Sequence, residues 1–274
     1  MPSQYNKDQI TGTRLTRLTE LMKLLRSPRG CPWDRVQTQE SIIPFVLEEA
    51  YEVVGAIESG EDSRVKEELG DLLLQVVFLS ELAREGGVFD IDDVIEGAVE
   101  KMTRRHPHVF GEARADTPQE VLKNWAEIKK AEGKEDNGYL SGICTALPSL
   151  LRAHKVSRKA AKTGFDWKDA DGALLKFDEE LTELKEAVKI KDPAGIEEEL
   201  GDLLFTVVNI GRLLEVNPEE ALRKTTDKFC RRFHFMEDNL TAAGSSLEEA
   251  TCSEMEELWE RAKASEKKQA NTDG

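Results

Sequence analysis

Apolar residues along this chain recur at the three-and-four spacing of amphipathic helices. In 62–86, Leu69, Leu72, Leu73, Val76, Val77 and Leu79 fall on one broad stripe. In 193–214, Leu200, Leu203, Leu204, Val207, Val208 and Ile210 repeat it. Read throughout, the pattern predicts helices over about 14–26, 38–59, 62–86, 90–105 and 118–132, then about 147–162, 169–190, 193–214, 217–239 and 251–268. Thr117-Pro118 reads as a cap followed by a first-turn proline, and Pro193 suits the first turn of its helix. Alternating β-branched and aromatic runs bounded by Asn-Gly turns do not recur, so the expected fold is all-α. The polar, glycine-punctuated stretch from Glu132 to Gly138 marks a linker. It predicts helical domains at 14–132 and 147–268, with 133–146 between them.

The polar positions repeat as well. Glu48-Glu49-x-x-Glu52 followed by Glu68-x-x-Asp71 returns, 131 residues on, as Glu179-Glu180-x-x-Glu183 followed by Glu199-x-x-Asp202. Glu67-Glu68-Leu69-Gly70-Asp71-Leu72-Leu73 matches Glu198-Glu199-Leu200-Gly201-Asp202-Leu203-Leu204 at the same offset. Lys101-x-x-Arg104-Arg105 falls on Lys228-x-x-Arg231-Arg232 at an offset of 127, and Trp125-x-x-x-Lys129 on Trp259-x-x-x-Lys263 at 134. Cys31-Pro32-Trp33-Asp34 is similar to Gly164-Phe165-Asp166-Trp167. Small changes of offset between matched blocks are what loop insertions between shared helices leave behind. The architecture expected is two tandem helical bundles related by duplication.

Residues three or four apart share a helix face, so Glu49 and Glu52 point the same way, as do Glu68 and Asp71. A short connection makes successive helices antiparallel neighbours, and the two acidic pairs then meet across the groove. One acidic run alone is usually a solvated face. The second pair lies in a strongly apolar helix, where unpaired carboxylates are expensive. Carboxylates without cysteine or histidine select hard cations, Mg²⁺ or Mn²⁺ before zinc. Gly70 and Gly201, inside helices, suggest a close neighbouring backbone or ligand.

The formal net charge of -16 argues against a protein that coats nucleic acid, because phosphate backbones need a basic face. A phosphate ligand here needs metal ions and a few placed cations. Lys228 with Arg232, and Trp259 with Lys263, are each four apart and suit a nucleotide: cations for phosphate, indole for a base. Lys101 with Arg105 and Trp125 with Lys129 are their first-copy counterparts. Asp34 and Asp166 suit helix capping or the wall of the site. His106-Pro107-His108 reads as a turn closing a helix, and His154 and His234 as structural. The four cysteines are scattered, as free thiols in a reducing cytosol would be. No apolar run reaches a bilayer-spanning length, and the first residues are polar with no signal-peptide core, so a soluble cytoplasmic chain is expected.

The acidic motif, in the setting Glu-Glu-Leu-Gly-Asp-Leu-Leu, resembles that of the all-α nucleoside triphosphate pyrophosphohydrolases. The tandem layout narrows the resemblance to the MazG family over about residues 14–265, with three supporting segments: Gly30-Cys31-Pro32-Trp33-Asp34, Arg104-Arg105-His106-Pro107-His108-Val109-Phe110 and Thr163-Gly164-Phe165-Asp166-Trp167. It implies Mg²⁺-dependent hydrolysis of nucleoside triphosphates to monophosphate and pyrophosphate, broad base tolerance and a homodimer. It further implies that Glu180, Glu183, Glu199 and Asp202 hold the ion, Mn²⁺ being a substitute, and that Glu179 with Glu180 forms the catalytic pair. Lys176, Lys228, Arg232, Trp259 and Lys263 would contact the nucleotide. The C-terminal copy is then the main catalytic unit, although Glu49, Glu52, Glu68 and Asp71 persist in the other. The chain departs from the family pattern at Gly195, where a lysine would meet phosphate. Alternatives are a dUTP-, dCTP- or alarmone-specific hydrolase on this scaffold, or a non-catalytic acidic scaffold.

Overall fold

A computed structural model describes residues 14–131 and 138–270, with the side chains of 126, 129–131 and 267–270 left out of the description. Among the described residues every regular element is a helix: α1 (Arg14–Arg26), α2 (Pro32–Val36), α3 (Gln39–Ser59), α4 (Asp62–Glu85), α5 (Ile91–Arg105), α6 (Pro107–Phe110), α7 (Pro118–Ala131), α8 (Ser149–Ala161), α9 (Ala170–Ile190), α10 (Pro193–Leu213), α11 (Pro218–Ala242) and α12 (Cys252–Ala270). The ten expected helices are present. The two short ones, α2 and α6, are single turns begun by a proline, too brief for a hydrophobic period to announce them.

The chain divides into two compact units, 1–131 and 132–274. In the first, α3 pairs with α4, and α1 and α5 pack on α4. Its core is Met22, Ile42, Val77 and Phe78. In the second, α9 pairs with α10, α8 lies on α10, and α11 carries α12. Met236, Leu240 and Leu258 are buried there, with Trp259 packed against them. Part of the expected linker, 132–137, lies outside the described residues. Tyr139 and Ser141, beyond it, meet α8: Lys159 donates to the Ser141 carbonyl (2.7 Å) and lies over the Tyr139 ring.

Local chemistry sets the acidic helix pairs. Thr38 closes a capping box with Ser41 at the start of α3, and Asp169 accepts from the Gly172 amide at the start of α9. Pro193 follows its cap Asp192 as expected, and Thr117 caps Glu120 ahead of Pro118. The turn between acidic helices is left-handed in both units, at Gly60 (φ 72°) and at Lys191 (φ 56°), again 131 positions apart. Glycine tolerates that conformation; lysine occupies it at a cost.

The apolar stripe is only half covered. Val77 and Val208 are buried, but Leu69, Leu73, Leu200 and Leu204 remain 44–51% exposed. Gly70 and Gly201 sit on the same helices with nothing within 4 Å of where a Cβ would stand, so no other backbone of the described chain approaches them.

Candidate metal centre

Each helix pair brings its acids to one point. Glu180 of α9 and Glu199 and Asp202 of α10 each place a carboxylate oxygen within 4.8 Å of the others. Glu49 of α3 and Glu68 and Asp71 of α4 do the same. Sequence expected the α4 and α10 acids near the buried face. Instead Glu199 and Glu68 are half-buried and Asp202 and Asp71 exposed, while Glu180 is the buried member at 5% exposure.

The crowding has an electrostatic signature. Desolvation, and then the charges of Glu183 and Glu180, push the Glu199 carboxyl above the usual carboxylate range. Desolvation followed by Glu52 does this to Glu68, and desolvation followed by Asp71 and Glu52 to Glu49. Glu183 and Glu52 thus belong to their clusters electrostatically, although neither falls within the 4.8 Å groups. Three or four carboxylates converging without nitrogen or sulfur donors fit a hard divalent ion such as Mg²⁺ or Mn²⁺.

The two copies differ in what neutralises them. Lys176 reaches both Glu179 (2.7 Å) and Glu180 (2.9 Å), and its own pKa is driven up by those hydrogen bonds. The position 131 residues earlier is Phe45. In that copy Gln75 donates to Glu49 at 3.4 Å instead. Glu48, like Glu179, is exposed. The Lys176 contact was visible in sequence as an i, i+3 and i, i+4 spacing to the acids. The Gln75 contact carried no such signal, because it crosses between helices.

Of the other expected nucleotide contacts, on α11 and α12, Arg232 and Trp259 are brought together. Arg232 donates to Glu266 (2.9 and 2.7 Å) and lies over the Trp259 ring, 5.4 Å from its centroid. Phe229 packs on the same indole at 5.2 Å. Lys263 pairs with Glu260, and Lys228 is half-buried one turn from Arg232. In the first unit, His106 meets Trp125 edge-on at 5.0 Å, and Lys101 and Arg105 are half-buried. The Lys129 side chain lies outside the described residues. His106 ends α5 and begins α6, as expected of a helix-closing turn.

Two further residues bear on the site. Asp166 is held by Arg212, which donates to both its oxygens, and its pKa is lowered by that contact; sequence gave no sign of this pairing. At Gly195 a Cβ would stand 2.9 Å from Asp192 Oδ2, so the glycine leaves room for the cap of α10.

An all-α protein with a duplicated carboxylate centre suited to hard cations is the class these features define. The MazG nucleotide pyrophosphohydrolase domain matches residues 37–110 and 172–235, covering both acidic helix pairs. The nucleoside triphosphate pyrophosphohydrolase/pyrophosphatase MazG of Thermotoga maritima is 49% identical over 92% of this chain and 96% of its own. The nucleoside triphosphate pyrophosphohydrolase of Escherichia coli K12 is 41% identical over 92% of this chain and 98% of its own. A crystal structure of a MazG-related protein from Thermotoga maritima aligns with 42% of this chain and 97% of its own, at 31% identity and a TM-score of 0.37. This chain belongs to the MazG family.

Proposed function

We propose that the chain hydrolyses nucleoside triphosphates to monophosphate and pyrophosphate, with Mg²⁺ held by Glu180, Glu183, Glu199 and Asp202. The observation that carries this reading is the convergence of Glu180, Glu199 and Asp202 oxygens within 4.8 Å beside a lysine. The names of the full-length relatives support it. When bound, the ion supplies charge neutralisation for the triphosphate and acidification of the attacking water. Glu179, exposed beside the cluster, orients and deprotonates that water for attack between the α- and β-phosphates. Lys176 moves from its carboxylate partners to the incoming phosphates, and Lys228, Arg232, Trp259 and Lys263 contact the rest of the nucleotide. The proposal includes broad tolerance of the base.

The working form is a homodimer. Exposed Leu69, Leu73, Leu200 and Leu204, beside two glycines with open space around them, make apolar helix faces suited to close packing against a second copy. Among the described residues no helix is long and apolar enough to cross a membrane. The four free cysteines fit the reducing cytoplasm where nucleotides are made. The N-terminal cluster (Glu49, Glu52, Glu68 and Asp71) holds an ion by the same chemistry, with Lys101, Arg105, Trp125 and Lys129 as its nucleotide side.

Product analysis on the canonical ribo- and deoxyribonucleoside triphosphates tests the reading. Wild type with Mg²⁺ should release equal amounts of monophosphate and pyrophosphate. Glu180→Gln should lose about 100-fold or more in kcat with helicity intact. Release of orthophosphate, or of nothing, would overturn the proposal. Loss confined to Glu49→Gln would move the working site to the N-terminal unit.

A further inference from the structure

The two acidic clusters carry the same acids in the same register, Glu49, Glu52, Glu68 and Asp71 against Glu180, Glu183, Glu199 and Asp202. What stands among those acids in the folded chain differs. In the second unit Lys176 of α9 puts its ammonium 2.7 Å from Glu179 and 2.9 Å from Glu180. Glu180 is also the buried member of the group whose oxygens converge within 4.8 Å. The lysine and the place proposed for the metal ion therefore share one carboxylate.

A buried carboxylate needs a counter-charge whether or not an ion is bound. Lys176 supplies one from within the chain. Its ammonium donates to the kind of oxygen that a hard cation takes, with one positive charge in place of two. A divalent ion entering the cluster must share Glu180 with that charge, against repulsion, or displace it. The lysine is placed to leave. Its side chain is 36% exposed, and it lines a recess of about 400 Å³ together with Gly164, Phe165, Asp166 and Trp167. A flexible four-carbon stem with open space beside it can turn the ammonium out of the cluster without moving the helix.

The first unit supplies the contrast. Phe45 stands in the register of Lys176, packs edge-on against Trp33 at 5.6 Å, and can place no charge among the acids. The neutral amide of Gln75 donates to Glu49 at 3.4 Å. Arg64, one turn before Glu68 on α4 and in the register of Gly195, acts on Glu68 through its charge. Matched acids thus face an ammonium hydrogen-bonded into the cluster in one unit and a neutral amide in the other.

We infer that Lys176 is the resident counter-ion of the second cluster: it occupies the acids in the resting chain, holds down their affinity for a divalent ion, and releases them when a triphosphate draws the ammonium away. This rests on the proposed hydrolase reading and adds an order to it. Ion and triphosphate load together, each raising the affinity for the other, because such a coupling is reciprocal.

The test reads metal binding rather than turnover. Lys176→Met removes the charge and keeps the stem, with a residue that suits a helix at a partly exposed position. Lys176→Arg keeps the charge. Mn²⁺ titrations followed by electron paramagnetic resonance, without nucleotide, are read on the binding component that Glu180→Gln weakens. There Lys176→Met should bind Mn²⁺ about tenfold more tightly than wild type, while Lys176→Arg stays close to wild type. With saturating α,β-methylene-ATP, which cannot be cleaved between those phosphates, the difference between wild type and Lys176→Met should vanish. Equal or weaker Mn²⁺ binding by Lys176→Met without nucleotide would overturn the inference and leave the hydrolase reading standing. Lys176→Arg binding as tightly as Lys176→Met would overturn it as well, because the effect would then not be one of charge. A wild-type deficit undiminished by the analogue would do the same, by keeping the ammonium in the cluster. A wild type that binds no ion in either state and releases no pyrophosphate would remove the underlying reading, and this one with it.

Discussion

At the residue scale, the proposed metal clusters are places where protons and divalent ions would compete. Glu199, Glu68 and Glu49 have pKa values raised by desolvation and by neighbouring carboxylates. A raised carboxyl pKa in the folded state means that the metal-free chain is destabilised when these groups ionise. Stability returns as pH falls through the raised values and is fully regained below the ordinary glutamate range. A divalent ion requires the ionised form, so Mg²⁺ affinity should weaken as pH is lowered from about 7 to about 5. Calorimetric titration at the two pH values checks this; affinity that is flat or rises toward the acid side would contradict it. The acids of both clusters were legible in sequence because their spacing and repetition are properties of one helix at a time. The partners of Asp166 and Arg232 were not. Arg212 lies 46 residues from Asp166 and Glu266 lies 34 from Arg232, and only packing decides which helix faces meet.

At the scale of elements, the hydrophobic period located all ten long helices, because burial of one face is what makes each of them stable. It overstated that burial. Periodicity reports an apolar face without saying whether this chain or another covers it, and α4 and α10 leave leucines exposed. The turns hold a finer lesson. Gly60 and Lys191 adopt the same left-handed cap in equivalent turns. Lys191→Gly should therefore stabilise the second unit by about 0.5–1 kcal/mol, the steric relief exceeding the added entropy of the unfolded chain. Chemical denaturation checks this, and an unchanged or lowered midpoint would contradict it.

At the scale of the molecule, duplication has produced two units with the same acids and different surroundings. The second pairs its cluster with Lys176 and an open aromatic recess. In the first, Phe45 stands in the register of Lys176 and packs edge-on against Trp33. The spacing of Lys228 with Arg232 and of Trp259 with Lys263 already suited a nucleotide; the resemblance to a known family supplied the reaction, hydrolysis between the α- and β-phosphates. The proposed homodimer would cover the exposed leucine faces with a second copy, and light scattering should then give about twice the chain mass of 30.8 kDa. A monomer at working concentration would contradict that assembly. The central claim, however, is that the paired carboxylates exist to hold divalent ions, and a direct titration of the purified chain at neutral pH tests it. Mn²⁺ followed by electron paramagnetic resonance, with Mg²⁺ as competitor, should show binding that Glu180→Gln weakens. A wild-type chain that binds neither ion, with or without a nucleoside triphosphate, would contradict the account.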